Sequence, residues 1–413
     1  MRRLFPILMI VAMFSVGVCH SKPAKKSKKA KAAKVQVGKT LPSWSEGCLD
    51  IHFINSGRGE CCFHILPDGT TLLIDAGEIP TNMGGETAVA QRPNNDVRPY
   101  ITYAKYIKHF LPKGKSAIDY CNVSHFHIDH MGTVECATET NPIGYRKSGL
   151  LALYDEVPYK HIIDRAYPNY VEDDVTPTVV GRLAQDWKRL IEWGEENKKL
   201  TAARFAVGEE QVKLVNNNKA YNNFSCLNIC ANGYVLGKDD SGKTIIRGGK
   251  TKKGGNPTSC GFHIRYGKFD YITCGDLTGA TQNRVAYYFR DCIGEGKLEA
   301  FKAHHHLSKN AWGGQMKECK FCPQVVLNQN FYQKQPDAGL LSYIYGWTKS
   351  FFTTNAHPAA IAANPDIFKT MAGYNGHIVL RVLPGGNKFY VYMLDDSDFE
   401  YRVKSIHGPY KSK

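Results

Sequence analysis

Residues 124–132 read "SHFHIDHMG", which places three histidines and one aspartate within six positions: His125, His127, Asp129 and His130. The whole chain has only 15 histidines. Burying so many polar groups without partners is costly, whereas neutral imidazole and carboxylate are ordinary ligands of zinc and its first-row neighbours. The stretch therefore predicts a metal-binding loop in preference to a polar loop with chance histidines.

The spacing within this loop suggests how ligands would be shared. His125 and His127 are two positions apart at the end of a predicted buried strand, "AIDYCNVSH", so their side chains point the same way. Asp129 and His130 follow at a predicted helix start. The loop can offer two imidazoles to one ion, and a carboxylate and an imidazole to a neighbouring ion.

Three further features end predicted strands. Asp75 ends "LLIDAG", where it either organises a turn or orients the metal loop by hydrogen bonding. Asp276 ends "YITCGD", where a carboxylate from a separate strand would suit a bridging ligand. A histidine triplet follows "FKA", and at least one of its members is expected to be a ligand: His304, His305 and His306.

The combination of HxHxDH, the upstream aspartate, "GDL" and a late histidine resembles the metallo-β-lactamase fold superfamily. Residues 49–77, "LDIHFINSGRGECCFHILPDGTTLLIDAG", are similar to the metallo-β-lactamase domain of bacterial competence (DNA-uptake) channel proteins and their free-standing relatives. The resemblance covers about residues 48–310 and implies an α/β fold, an αββα sandwich of two mixed β-sheets flanked by helices.

The resemblance also implies a site. "HHLS", residues 305–308, occupies the place of a His-His-Gly-Ser motif, which favours His305 as the late ligand. One or two Zn²⁺ ions, with Mn²⁺ as an alternative, would be held by His125, His127, Asp129, His130, Asp276 and His305. Asp129 would also act in catalysis by holding or shuttling a proton, and supporting roles would fall to Asp75, His304, His306, Asn256 and Ser259.

One position departs from the superfamily pattern. Many members supply a third histidine to the first metal shortly before the "GD" strand. The equivalent stretch here runs from about Asn256 to Ser259 and contains no histidine. The competence-type relatives tend to have Asn and Ser there as well. We expect a weaker first metal site, completed by an amide or water.

The N-terminus predicts export. "MRR" precedes an apolar run of 15 residues, which is typical of a signal peptide over residues 1–21 and short for a spanning helix. Cys19 raises the alternative of lipidation, so the protein is expected to be secreted, periplasmic or envelope-anchored. Residues 22–47 begin with a Lys-Ala run and predict a disordered tether, with weak contact to the envelope or a polyanion as an alternative.

Residues 48–413 predict a single hydrolase domain. The net charge of the chain is +15, but the nine basic residues before position 35 leave +6 for the remainder, which is only mildly basic. Helices are predicted at 100–111, 179–200, 281–290 and 336–343, hairpins at 259–276 and 377–394, and two short strands with a long loop in 201–258. The 12 cysteines beyond the signal region allow disulfides of open connectivity.

These features predict an exported metal-dependent hydrolase that uses a metal-generated hydroxide. The sequence contains no GxSxG motif, so a serine nucleophile is not predicted. The expected substrate is a phosphodiester, either a small molecule or a nucleic acid, by analogy with the DNA-uptake relatives. A hydrolase of a carboxylic ester, lactone or amide is the second hypothesis, and a metal-bearing binding module with impaired catalysis is the third. No obligate protein partner is implied.

Overall fold

Two nine-stranded β-sheets form the centre of the molecule, and helices cover their outer faces. The computed structural model describes residues 34–170, 179–251 and 255–413, with side chains of the fourth helix described from residue 183. The predicted α/β class and αββα architecture are thereby confirmed. The predicted signal peptide, residues 1–21, and the tether as far as residue 33 lie outside the described residues.

The first sheet joins the beginning and the end of the chain. Its order is β18-β17-β16-β1-β2-β3-β4-β5-β6, and the four strands from β3 to β6 run parallel. The strands are β1 (Leu49–Phe53), β2 (Cys62–Ile65), β3 (Thr71–Ile74), β4 (Ile118–Val123), β5 (Tyr159–Asp164), β6 (Thr201–Arg204), β16 (His377–Val382), β17 (Lys388–Leu394) and β18 (Val403–Lys411).

The second sheet comes from the middle of the chain. Its order is β15-β14-β13-β12-β11-β10-β7-β8-β9, with β11 to β15 parallel. The strands are β7 (Phe224–Ala231), β8 (Tyr234–Lys238), β9 (Thr244–Gly248), β10 (Gly261–Tyr266), β11 (Phe269–Thr273), β12 (Ala300–Lys302), β13 (Val325–Asn328), β14 (Ser350–Thr353) and β15 (Gly373–Tyr374).

The helices lie between strands. They are α1 (Pro99–Phe110), α2 (Ile128–Met131), α3 (Gly149–Glu156), α4 (Val179–Glu196), α5 (Gly279–Cys292), α6 (Gly314–Glu318), α7 (Ala338–Ile344), α8 (Pro358–Ala363) and α9 (Pro365–Lys369). Proline stands at the first position of α1, α8 and α9, where its missing N–H leaves no hydrogen bond unmade. No helix in the described ranges is long and apolar enough to cross a membrane.

Three apolar layers hold this arrangement together. The central layer packs the facing sides of the two sheets, for example Ile51 and Phe53 of β1 with Val325 and Leu327 of β13. A second layer lies between the first sheet and α1, α3 and α4, and a third between the second sheet and α5 to α9. Burial of these layers is the main favourable contribution to folding.

Most predicted elements are confirmed, and the differences are at sheet edges. The predicted helices correspond to α1, α4, α5 and α7, and the hairpins to β10–β11 and β16–β17. Residues 201–258 contain four strands, β6 to β9, where two were expected. Strand β9 alternates exposed and half-buried side chains, so this edge lacks the apolar pattern from which strands are predicted.

The packed body begins before residue 48, where the prediction ended the tether. Gly38 N donates to Val403 O at 2.8 Å, and Leu41 N donates to Tyr401 O at 3.2 Å. The Leu41 side chain is buried in the layer beneath α1. Residues 34–47 are therefore held by backbone hydrogen bonds and by the apolar side chains of Val35, Leu41 and Trp44.

The cysteines of the described residues are all free thiols. Cys61 and Cys62 belong to different apolar layers, as expected for neighbours whose side chains point to opposite faces. Cys319 and Cys322, which are separated by two residues, are also thiols.

A buried ion pair joins the strands at the centre of the first sheet. Asp50 and Arg381 are register partners in β1 and β16, and two hydrogen bonds of 2.8 and 2.6 Å connect their side chains. The exposed fraction of Arg381 is 7% and that of Asp50 is 0%. Such a bidentate pair satisfies both charges at once.

We predict that Arg381→Ala lowers the free energy of unfolding by about 3–5 kcal/mol, because it leaves the Asp50 carboxylate buried without its partner. Chemical denaturation measures this loss. The matched control is Arg402→Ala, since Arg402 pairs with Asp398 and Glu400 at the surface, where solvent screens the pair, and its loss should leave the free energy of unfolding nearly unchanged. Equal losses in the two variants would contradict the assignment.

Candidate metal centre

Loops that follow strands of both sheets meet at one edge of the sandwich. Four of them follow the ends of β3, β4, β11 and β12, and a fifth connects β1 with β2. Each contributes polar side chains to the same buried region: Glu60, Asp75, His125, His127, Asp129, His130, Asp276 and His306. The structure thus brings together residues that lie far apart in the sequence.

The HxHxDH loop is held by its backbone. Ala76 N donates to His130 O at 2.9 Å, and Glu60 N donates to Asp129 O at 2.7 Å. Gly77 packs directly against this segment, because a Cβ at position 77 would lie 1.9 Å from the carbonyl oxygen of Asp129. These contacts fix the loop against the segment that follows β3.

Asp75 orients the loop through its side chain. Its Oδ1 accepts Ser124 N at 2.7 Å, and its Oδ2 accepts Ser124 Oγ at 2.6 Å and faces His130 Nδ1 at 2.8 Å. The pairing with Nδ1 turns His130 Nε2 toward the centre of the site. Asp75 therefore supports the loop, which is one of the two roles that the sequence allowed.

Four buried side chains form the core of the site, here called the four-residue cluster: Glu60, His130, Asp276 and His306. One potential ligand atom from each lies within 4.8 Å of the others. Asp276 Oδ2 is 3.1 Å from His130 Nε2 and 3.0 Å from His306 Nε2. Asp129 Oδ2 borders the cluster and accepts a hydrogen bond from His306 Nε2 at 3.1 Å.

Glu60 and Lys302 were not predicted from the sequence. The Lys302 ammonium is fully buried, 2.8 Å from Glu60 Oε2 and 3.6 Å from Asp276 Oδ1, and it donates to Gly275 O at 3.0 Å. Lys302 therefore balances part of the negative charge. A lysine two residues before the histidine triplet was the available signal, but a lysine in a three-residue strand resembles many surface lysines.

His125 and His127 form the other half of the site. Their ring centroids are 4.4 Å apart, and the rings of His125 and His130 are 4.2 Å apart. His125 Nδ1 is 3.1 Å from Ser124 Oγ, whereas His125 Nε2 is buried without a hydrogen-bond partner. The two imidazoles therefore adjoin the four-residue cluster, and His125 Nε2 has no hydrogen-bond partner there.

Asn256 and Ser259, which the sequence analysis assigned supporting roles, belong to a segment beside His127 and Asp276. Gly255 approaches His127, since a Cβ there would be 3.1 Å from His127 Nε2. Ser259 Oγ donates to Asn256 O at 2.9 Å and accepts Asp276 N at 3.2 Å. Ser259 thus supports Asp276, and Asn256 Oδ1 is buried without a hydrogen-bond partner.

The three histidines of the triplet have different surroundings. The structure places His306, and not His305, in the four-residue cluster. His306 joins the four-residue cluster, whereas His305, the member favoured from the sequence, is partly exposed and contacts Asn310 Oδ1 at 2.7 Å. His304 contacts Gln282 Nε2 at 3.1 Å and packs on a phenylalanine. The backbone at 305 and 306 is left-handed, with φ of 46° and 53°, a conformation that is uncommon for residues other than glycine.

The charges in the cluster shift each other's pKa. Burial opposes protonation of the imidazoles, but Asp276 and Asp129 raise the pKa of His130 well above its ordinary value and that of His306 to about 9. Burial also disfavours ionisation of Asp276, yet His306 and His130 hold its pKa well below the usual range. Burial lowers the pKa of His125, which is therefore neutral at pH 7.

These residues fit a divalent metal ion. His130 Nε2 and both oxygens of Asp276 are buried without hydrogen-bond partners. His130 Nε2 nevertheless lies 3.1 Å from Asp276 Oδ2. A cation between them would satisfy these atoms together with His306 and Asp129, and a second could be held by His125 and His127. Imidazole and carboxylate favour zinc and its first-row neighbours, and binding would displace protons from the imidazoles.

Comparison with known proteins finds similarity only at the level of structure. No protein-family model matches the chain, and no curated protein has a significantly similar sequence. The match to the short form of human tRNase Z has 11% identity and a TM-score of 0.32, and covers 74% of this chain and 91% of that chain. A metal-dependent hydrolase of the β-lactamase superfamily matches with 10% identity and a TM-score of 0.33, over 79% and 94%.

A mutant of the CmlA β-hydroxylase matches with 11% identity and a TM-score of 0.38, over 83% of this chain but only 55% of that chain. This chain therefore spans about half the length of that protein. The structurally similar proteins thus include members of the metallo-β-lactamase superfamily. None of the three described here is a competence-channel protein. Because identities and scores are low, the function must be argued from this chain's own residues.

We predict that Gly77→Ala disturbs the metal loop, because the added methyl group would overlap the Asp129 carbonyl. Metal affinity, measured by titration, should fall at least about tenfold, with a loss of stability of about 1–3 kcal/mol. Gly314→Ala is the matched control, since a Cβ at position 314 meets nothing within 4 Å. Unchanged metal affinity in Gly77→Ala would show that the loop does not need this close contact.

Proposed function

We propose that this chain is a metal-dependent hydrolase and that its substrate is a phosphodiester. The observation that carries the proposal is the buried convergence of His130, Asp276 and His306 at the edge of the sandwich, where His130 Nε2 and both oxygens of Asp276 have no hydrogen-bond partner. Buried charge clusters of this kind are expensive unless a bound ion or a chemical task compensates for them. Stability alone gives no reason to place them there.

The side chains have distinct tasks in this proposal. His125, His127, Asp129, His130, Asp276 and His306 would hold one or two ions. When bound, a divalent ion supplies a water of lowered pKa and a positive charge that stabilises the transition state. Asp75 fixes the direction of His130, and Lys302 fixes Glu60 and the outer oxygen of Asp276.

Asp129 orients the attacking water. Burial disfavours its ionised form, but His130 and His306 hold its pKa below the usual range, so the carboxylate stays ionised. Its side chain is 20% exposed, whereas those of Asp276 and His306 are almost fully buried. An ionised carboxylate at the open side can accept a hydrogen bond from water but is a poor store for a proton.

A phosphodiester is favoured by the segment around Asn256. An amide in place of a third imidazole leaves a weaker ligand set, and the two unesterified oxygens of a phosphodiester can complete it. In the reaction the water oxygen bonds to phosphorus, the bond from phosphorus to the leaving oxygen breaks, and that oxygen leaves with a proton. Esters, lactones and amides remain the comparison substrates.

We predict that His306→Ala loses bound metal and lowers kcat/KM at least about 100-fold, because a direct ligand should matter more than an outer contact. His305→Ala is the matched control, because His305 is adjacent to His306 in sequence but lies outside the four-residue cluster. This variant should keep both properties. Elemental analysis gives the metal content, and hydrolysis of methyl 4-nitrophenyl phosphate in Zn²⁺ or Mn²⁺ gives the rate.

Three results would change this proposal. Metal loss in His305→Ala and not in His306→Ala would restore the ligand favoured from the sequence. Faster hydrolysis of a lactone or β-lactam than of the phosphodiester would favour the ester or amide hypothesis. Bound metal without hydrolysis of any of the three substrates would identify a binding module.

A further inference from the structure

A buried carboxylate, Glu78, connects the metal loop to two helices. Its side chain is 3% exposed and accepts four hydrogen bonds: from Arg98 Nε at 2.8 Å, Arg98 Nη2 at 2.9 Å, Ser148 Oγ at 2.9 Å and Gly149 N at 3.0 Å. Four bonds occupy the acceptor sites of an ionised carboxylate. Arg98 directly precedes α1, and Gly149 is the first residue of α3. Glu78 therefore ties the starts of both helices to the segment after β3.

The backbone of Glu78 contacts the metal loop at its centre. Glu78 N donates to Ile128 O at 3.0 Å, and Gly132 N donates to the same oxygen at 3.0 Å. Ile128 stands between His127 and Asp129 in the sequence. The main chain at residue 78 thus holds the loop at the residue directly before Asp129.

The side chain of Glu78 reaches the point where the chain leaves the metal loop. Ser148 Oγ donates to Glu78 and accepts Thr133 N at 3.2 Å. Packing at this point is close, because a Cβ at position 149 would lie 2.2 Å from Met131 O. The turn of residues 131–133 therefore moves only together with the start of α3, which Glu78 holds.

Stability alone does not account for this buried ionic network. Apolar side chains of similar volume often stabilise a protein as well as a buried ion pair does. The network instead fixes the distances between segments that carry or flank metal-binding residues. Asp129 and His130 lie between the two points at which Glu78 holds the chain, and the groups of a functional site must keep their positions to within about 0.5 Å.

We propose that Glu78 is a positioning residue that fixes Asp129 and His130 in metal-binding geometry from outside the four-residue cluster. It touches neither metal nor substrate, because its side chain is buried and its acceptor sites are occupied. The inference rests on the proposed function for its effect on the rate. Metal binding tests it without any turnover.

Two variants and one control test this role. Glu78→Gln keeps the size of the side chain but places an amide nitrogen where an acceptor is needed, and Ser148→Ala removes only the hydroxyl link to Thr133 N. Glu156→Gln is the matched control, since Glu156 also belongs to α3 but pairs with Lys108 at the surface. Each protein is titrated with Co²⁺, whose visible spectrum reports the coordination geometry, and is then assayed with methyl 4-nitrophenyl phosphate at saturating Co²⁺.

We expect Glu78→Gln to lower Co²⁺ affinity at least about tenfold and to change the visible spectrum, because an outer contact of the ligands is lost. Its kcat should fall about tenfold or more, since small displacements of reacting groups are costly, while KM should change less than about twofold. Ser148→Ala should change the same quantities in the same direction by less. Glu156→Gln should behave as wild type.

The outcomes separate positioning from simple stabilisation. If Glu78→Gln and Ser148→Ala unfold at lower temperature but keep the wild-type Co²⁺ affinity and spectrum, the positioning role is overturned. Equal loss of affinity in Glu156→Gln would also overturn it. If the variants show the expected contrast in affinity and spectrum but wild-type protein hydrolyses no ester, the positioning role stands and the proposed function fails.

Discussion

The buried carboxylate of Asp276 is the contact on which the edge of the sandwich depends. It lies about 3 Å from two imidazoles, one from each sheet: His130 follows β4, and His306 follows β12. A buried charge must be compensated where it stands. Lys302 approaches the other oxygen of Asp276 and also holds Glu60. Charge compensation therefore fixes how the loops of the two sheets meet, while the apolar layers fix only how the sheets stack.

Several hydrogen bonds hold the loops of the site in place. The loop that carries His125 and His127 is anchored by Asp75 through Ser124 and His130, and its backbone is held against the segment after β3. Ligand atoms held by such contacts need little reorganisation when an ion binds. On the side of His127 the neighbouring segment carries Asn256, whose Oδ1 is buried without a hydrogen-bond partner.

Sequence patterns predicted the local parts of the site and of the fold. The HxHxDH loop follows a strand whose apolar run is unmistakable, and Asp276 ends a hairpin with regular alternation. Glu60 and Lys302 escaped prediction because a charge in a tight connection or in a short strand has no distinguishing local pattern; only the packing of both sheets brings them together. The sequence analysis favoured His305 over His306. The choice depends on a left-handed turn, which decides which of two adjacent side chains points inward.

The same limit applies to the fold. Helices with strong periodicity and hairpins with clear alternation were predicted, whereas two of the four strands in residues 201–258, the edge strand β18 and the packed segment before residue 48 were not. Edge strands have one exposed face and one missing neighbour, so their side chains carry little apolar pattern. Residues 34–47 are held mainly by backbone hydrogen bonds to residues near the end of the chain, which local sequence does not report.

Anomalous X-ray diffraction at the zinc edge, from crystals grown with Zn²⁺, tests the central claim most directly. We expect a strong peak within bonding distance of His130 Nε2, Asp276 and His306 Nε2, with any second peak beside His125 and His127. Peaks confined to surface histidines, or a peak bound by His305 with the four-residue cluster empty, would contradict the account.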